Sequence, residues 1–423
     1  MGTTESMTED TTVAVVGGGP AGMMLGLLLA RAGIDTVVLE KHADFLRDFR
    51  GDTIHPSTLE VIDELGLHDR FAQIPQGRFT NVGFGEDLTV GSLAELKIRY
   101  PYIAIAPQWD FLNMIADEAA RYPRFHLLRQ AEAVDVLREP GRIAGVRYRT
   151  ADGRDHELRA ALTVAGDGRH STVRPAAGLS TREFGAPIDV VWFRLSKHPG
   201  GPDEFYFRVV PGRWIVGFDR RTYVQIAYVI RKGARPELLA AGIDAFRDSI
   251  ARTIPELADR VGELKSFDDT SMLEVQVNRA PRWHTPGLLL VGDAAHAMSP
   301  IGGVGVNLAI QDAVAAANIL YRALLAAQHD GTPVPGHLLH AVQRRRQFPT
   351  ALIQRMQRTM QERLVEPALR GETAGVPRMA RIMRHVGPVR RWLLRTLAMG
   401  TRPEHIHTPA ADTVPARTGG RHG

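Results

Sequence analysis

The chain has 423 residues, 44% of them hydrophobic and 23% charged, a globular composition that excludes a disordered or fibrous chain and is long enough for two or three domains. It contains no cysteine, which excludes disulfides, thiolate metal sites, cysteine nucleophiles and a cysteine-linked cofactor. Its net charge is +5, but residues 340–423 hold 16 Arg, no Lys and 5 acids, a net of +11, so the preceding body is mildly acidic.

In chain order, Met1 to Thr11 is polar and acidic, without the basic and apolar regions of a signal peptide, so no export and a cytoplasmic location are expected. Residues 12–16 form a short β-branched run, as in a strand buried on both faces. Gly17, Gly19 and Gly22 follow in G-x-G-x-x-G spacing, with Pro20 and Ala21 between them. An apolar helix is predicted over 21–32, with Gly33 as its cap, then a strand over 36–39 ending at Glu40. Gly17 permits the tight turn, Gly19 lets a pyrophosphate approach, and Gly22 allows close helix packing. The helix N-terminus faces the phosphates, and Glu40 stands where an acid binds ribose hydroxyls. These features indicate dinucleotide binding and do not choose between FAD and NAD.

Residues 56–66 read as a helix, with Ser57 and Glu60 at capping-box spacing. Gln108 lies near the start of a helix over 109–121. A strand over 162–166 runs into Asp167, Gly168 and then Arg174. Residues 180–275 alternate in short segments, as in an antiparallel sheet with one buried face. Trp192, Tyr206, Trp214, Tyr223 and Tyr228 are its candidate pocket aromatics, each more readily read as sheet core. A strand over 287–291 leads into Gly292, Asp293 and His296, the last read as a packed core histidine. The glycine-rich stretch 299–307 follows, and then a helix over 306–326. From 340 to 399, Leu352, Ile353, Met356, Met360, Leu364, Met379, Ile382, Met383, Trp392, Leu393 and Leu394 recur at helical spacing. Helices packed on the main body with an Arg-rich exposed face are expected, with a membrane surface as the lesser alternative. No nucleic-acid module accompanies the charge, and nucleic acid is not expected as a partner.

The three linked segments around Gly17, Asp167 and Asp293 resemble the FAD-dependent aromatic hydroxylases, the group A flavoprotein monooxygenases with the para-hydroxybenzoate hydroxylase fold. Arg50, Gln108 and the ending Arg402-Pro403-Glu404-His405 extend the resemblance over most of the chain. It implies an α/β fold: a Rossmann-like FAD-binding domain (1–179 and 276–335), an inserted antiparallel β-sheet substrate domain (180–275), C-terminal helices (336–400) and a flexible tail (401–423). It also implies noncovalent FAD held by Gly17, Gly19, Pro20, Ala21, Gly22, Glu40, Lys41, Arg50, Gln108, Asp167, Gly168, Asp293, Gly303, Gly305 and Val306. Pro300 would lie over the flavin face and Asn307 would bond the ring edge, with the helix dipole behind them favouring reduced flavin. Arg174 is expected to fix its loop. The implied cycle takes electrons from NAD(P)H as a transient co-substrate, forms a flavin C4a-hydroperoxide with O2, and hydroxylates an aromatic or polycyclic molecule. A reductase, a Baeyer–Villiger oxygenase, a halogenase and a non-catalytic flavin sensor remain as alternatives. The catalytic base, the substrate and the oligomeric state are not fixed by the sequence, and no metal ligand set is found.

Overall fold

The computed structural model describes residues 8–46, 53–83, 89–198, 205–210, 212–220, 223–371 and 387–411. Its centre is an eight-stranded sheet. Strand β1 (Thr8–Val16) leads into helix α1 (Pro20–Arg31), and β2 (Thr36–Glu40) follows. Further along come β3 (Thr53–Ile54), α2 (Pro56–Glu64), α3 (Gln108–Ala119) and β4 (Phe125–Arg129). A hairpin of β5 (Ala131–Glu139) and β6 (Arg142–Thr150), to which no element was assigned from sequence, feeds the long strand β7 (Asp155–Ala165). Strand β12 (Leu288–Leu290) closes the parallel set. The order β12-β7-β1-β2-β4 is parallel throughout.

The period of two in β1 divides the core. Val13 and Val15 enter the cluster that holds α1 and helix α6 (Gly305–Asp330). Ala14 and Val16 enter the opposite cluster, with Val136, Tyr148 and Trp283. Helix α6 is long and apolar enough to cross a membrane, yet most of it is buried in the protein, so it serves as a core helix. Gly331, at φ +73, ends it.

The smaller sheet is antiparallel: β8 (Ile188–Ser196), β9 (Phe205–Val210), β10 (Arg213–Asp219) and β11 (Tyr223–Arg231), with the short strand Ser271–Leu273 at its edge. The chain enters and leaves it through two short paired strands, Arg182–Glu183 and Asn278–Arg279. On one face Val191, Phe193 and Leu195 meet Phe246 and Ile250 of α5 (Arg235–Thr253). On the other, Val190, Trp192, Trp214 and Val216 cluster with Ile301.

Helix α7 (Gly336–Met360) and helix α8 (Gly387–Met399) pack on the larger domain. Three expectations change here. Pro56 occupies the first turn of α2, so the cap falls on His55 and no capping box forms around Ser57. The buried face of α7 is largely polar, with Gln343, Arg346, Thr350, Gln354 and Gln357 inside; Arg346 is not on an exposed face. The stretch expected to be a tail is docked through residue 411: Glu64 accepts from the backbone N–H of Ile406 at 2.8 Å, and Arg31 donates to the Thr408 carbonyl at 3.1 Å. These polar anchors replace the entropy of a free terminus with fixed hydrogen bonds.

Candidate active site

Three loops leave the same edge of the large sheet. Val16 lies opposite Ala165 and Leu39, and Ala165 opposite Leu290. The segments after β1, β7 and β12 are therefore neighbours at the carboxyl ends of adjacent parallel strands, the crevice where open α/β sheets bind ligands.

The first loop fits a pyrophosphate. Gly17 has φ +102, and a Cβ there would lie 2.5 Å from the Gly166 carbonyl oxygen. A Cβ on Gly22 would lie 2.0 Å from the Gly17 oxygen, while Gly19 faces open space. No side chain caps α1, and Pro20 fills its first position, so its free N–H groups are left for an anion. Glu40 is buried, and its carboxylate accepts from Gly18 N at 3.0 Å and His42 N at 2.9 Å. Lys41 is exposed beside it. Arg50 lies outside the described residues. Gln108 opens α3, whose Asp110 is pushed up by burial and drawn down by the charge of Arg220 from the smaller sheet.

The second loop is tied inward. Asp167 accepts from Ser171 Oγ at 2.6 Å, Thr172 N at 2.8 Å and Val173 N at 3.1 Å. These three bonds tie its carboxylate to the start of the short helix α4 (Val173–Ala176). Burial pushes its carboxyl up against those bonds. Gly168 beside it has φ +85. Arg174 donates to the Ala294 carbonyl at 2.8 Å and the Arg169 carbonyl at 3.2 Å, fixing the loop as expected. Arg169, which drew no attention in the sequence, pairs with Asp293 at 3.0 Å.

The third loop would meet the ring. Thr53 Oγ1 donates to the Gly303 carbonyl at 2.8 Å. A Cβ on Gly303, at φ +62, would lie 2.0 Å from that hydroxyl oxygen. Pro300 is half-buried at the start of the turn Ile301–Gly303. Gly305 and the buried Val306 open α6, whose first turn has no side-chain cap. Asn307 revises an expectation. Its Oδ1 accepts from His55 N and Thr58 Oγ1, both at 2.8 Å, and its Nδ2 donates to the carbonyls of Thr53 at 3.1 Å and Gly303 at 3.2 Å. All four of its hydrogen-bonding positions are spent on protein, so the side chain clamps the loop instead of reaching for a ring.

Every carbonyl from Ser299 to Gly303 faces protein. Gln357 Nε2 donates to Ser299 at 2.9 Å and to Ile301 at 2.8 Å. Gly303 N donates to the Pro300 carbonyl, and His55 Nε2 faces the Gly302 carbonyl at 3.1 Å. Ile301 N and Gly303 N are bonded within the loop, to Ser299 Oγ and the Pro300 carbonyl, so the uncapped start of α6 is what offers N–H groups and a partial positive charge where a ring could gain electrons. The two uncapped helix ends, the open face at Gly19 and the Asp293 carboxylate together fit a flavin dinucleotide. Among the described residues no group of His, Cys, Asp or Glu could hold a metal.

Behind the loop runs a buried charge network absent from the sequence reading. His296 Nε2 meets Asp312 at 2.5 Å, and Arg346 bonds Asp312 at 3.0 Å and Glu404 at 3.2 Å. Asp312 also accepts from Gly292 N at 3.1 Å. Burial alone would push the Asp312 carboxyl up; His296 and Arg346 outweigh it and hold it low. His296 is buried as expected, against Trp283, but its neighbours are not wholly apolar. The missed signal was Gln and Arg recurring on the inner face of a helix.

On the smaller sheet, Tyr228 belongs to the core, its hydroxyl 2.8 Å from Ser249 Oγ. Trp192 stacks on Phe218 and shares the loop-facing cluster with Trp214. Tyr223 lies under Arg194. The side chain of Tyr206 lies outside the described set, as do Met379, Ile382 and Met383.

Residues 10–356 match the family model described as an FAD binding domain. The chain is 33% identical to 6-methylpretetramide 4-monooxygenase of Streptomyces rimosus, over 94% of each chain. It is 28% identical to dialkyldecalin synthase of Streptomyces rugosporus, of which it spans 63%. Among solved structures, an anhydrotetracycline hydroxylase from Streptomyces rimosus shares the fold at a TM-score of 0.72 and 22% identity, over 92% of this chain and 76% of that one. A p-nitrophenol 4-monooxygenase from Pseudomonas putida gives the same TM-score and identity over 93% and 99%.

Proposed function

The chain belongs to the FAD-dependent aromatic hydroxylases, and from that premise we propose that it hydroxylates an electron-rich polycyclic phenol with electrons from NAD(P)H. It is an FAD-dependent monooxygenase. The observation that carries the substrate class is the apolar sheet face of Trp192, Trp214 and Val216, which shares a cluster with Ile301 of the ring loop. A flat polycycle held there would be stacked and kept dry beside the redox centre. The relative that hydroxylates 6-methylpretetramide supports the same reading.

Bound FAD supplies the two-electron centre that activates dioxygen. The protein's part is orientation, exclusion of water and fixed dipoles. Support for a nicotinamide donor comes from the domain junction. Arg182, Arg279 and Arg358 gather on the ring of Phe184, at 5.7, 5.2 and 5.4 Å from its centroid. Burial, then the charge of Arg182, pulls the Arg279 guanidinium below its usual range. Such a cluster suits the phosphates of a dinucleotide that binds and leaves.

The test is NAD(P)H oxidation by the FAD-loaded protein across a panel of polycyclic phenols, with labelled dioxygen. The expected result is substrate-accelerated oxidation and label in the product. Turnover without label, or with a halide requirement, would overturn the reading in favour of a reductase or halogenase.

A further inference from the structure

We propose that Gln357, supported by His55, is a positioning residue for the reduced cofactor: it keeps the carbonyls of the ring loop turned into the protein, so that the uncapped N–H end of α6, and no carbonyl oxygen, faces the charge gained on reduction. The proposal rests on the FAD reading above.

Gln357 is buried on α7, and both hydrogens of its Nε2 are spent, on Ser299 and Ile301. Turning the amide around would set Oε1 against two carbonyl oxygens, so its orientation is fixed. The middle of the loop needs a second hold. Gly302 and Gly303 have φ +80 and +62, and two glycines in sequence let their shared peptide rotate at little steric cost. Thr53 and Asn307 secure the Gly303 carbonyl. Among the described residues only His55 faces that of Gly302, with its Nδ1 2.9 Å from the Leu397 carbonyl of α8. A neutral imidazole has one N–H, and the Nε2–H form is the one that holds the loop. A carbonyl released from either hold could turn its negative end toward the reduced ring. The peptide dipole of about 3.5 D would then oppose the charge it now favours.

The experiment measures the anaerobic midpoint potential of the FAD-loaded protein, with oxidised and reduced FAD affinities and thermal midpoints. Gln357→Met is expected to weaken reduced FAD about tenfold more than oxidised FAD, which lowers a two-electron potential by about 30 mV. Gln354→Met is the control. Gln354 is equally buried on the same helix face but donates to Asn278 and Ala297, outside the loop. It should lower the thermal midpoint similarly and leave the potential unchanged. His55→Gln retains a donor near the Nε2 position and should keep the potential, whereas His55→Asn retains only the Nδ1 position and should lower it. The His55 pair carries the test if Gln357→Met does not fold. Equal shifts in the two glutamine variants, or no shift in Gln357→Met and His55→Asn, would overturn the proposal alone. Wild-type protein that takes up no FAD would overturn the underlying reading and this proposal with it.

Discussion

The two loops that would grip the pyrophosphate and the ring of the dinucleotide are built in different ways. The Gly17–Gly22 turn is set by backbone against backbone: Gly22 packs on the Gly17 oxygen and Gly17 on Gly166 of the adjacent strand. The Ser299–Gly305 loop is shaped by side chains from afar, with Thr53 lying 250 residues and Gln357 56 to 58 residues from the carbonyls they hold. The first is a motif in the ordinary sense. The second shares its glycine content but takes its orientation from the rest of the fold, which makes it adjustable by distant substitutions.

Glycine replacements should break this contrast most strongly. Gly22→Ala puts a methyl against a backbone oxygen that cannot yield, and is expected to cost about 3 kcal/mol or more and abolish FAD uptake. Gly303→Ala meets the Thr53 side chain instead. Adding Thr53→Ala removes the contacts at 2.0 and 2.9 Å and should restore part of its FAD occupancy, leaving a 2.7 Å approach to the Cβ of residue 53 and the left-handed backbone cost of about 1 kcal/mol. Denaturant unfolding and flavin absorbance check both, and equal rescue at the two loops would erase the distinction.

Next in size is the network behind the ring loop. Arg346→Met removes the buried guanidinium that Asp312 and Glu404 share, leaving them only His296 and the Gly292 amide on one side and Arg345 on the other, and should cost about 3–5 kcal/mol of stability. Arg345, which reaches Glu404 from a half-exposed position, should cost under about 1 kcal/mol when replaced by Met. Urea unfolding of both variants tests whether burial sets the scale.

A smaller effect is expected at Asp293. Asp293→Ala removes a charged acceptor for the ribityl hydroxyls, and the FAD dissociation constant should rise about tenfold. Fluorescence titration measures it, and an unchanged constant would show that the Arg169 pair is the residue's whole role.

The smallest effect is a pH slope. Burial lowers the His55 pKa from 6.5, and the bonds to Leu397 and Gly302 only partly offset it. Below about pH 6.5 the unfolded chain takes up a proton that the folded chain resists, so the histidine's contribution falls as pH drops and levels off at its folded pKa. The stability advantage of wild type over His55→Gln should therefore shrink on acidification, as urea midpoints at several pH values would record.

Much of the larger domain was legible from particular residues. The β-branched run before Gly17, the cap at Gly33 and the acid at Glu40 lie where expected, because a buried parallel strand and its glycine turn are local problems. The antiparallel segments over 188–231 were legible for the same reason, through their alternation. The hairpin over 131–150 was not assigned, and in the Arg-rich segment one charge, that of Arg346, was misplaced while most of the described arginines are exposed as expected. Arg346 reads as a surface residue until Asp312 and Glu404 are brought to it. The stretch around Glu404 reads as a loose end until Glu64, Asn318 and Arg31 accept it.

The sequence by itself thus determined the dinucleotide turn and the division into two sheets, since each depends on short-range sterics and periodicity, while the flavin family was legible only through the resemblance that three linked motifs carry. Tertiary structure alone decided what Asn307 and Arg346 do with their polar atoms. A buried polar group must find a partner, and for these two the partners in Thr53, His55, Thr58, Asp312 and Glu404 lie 34 to 254 residues away.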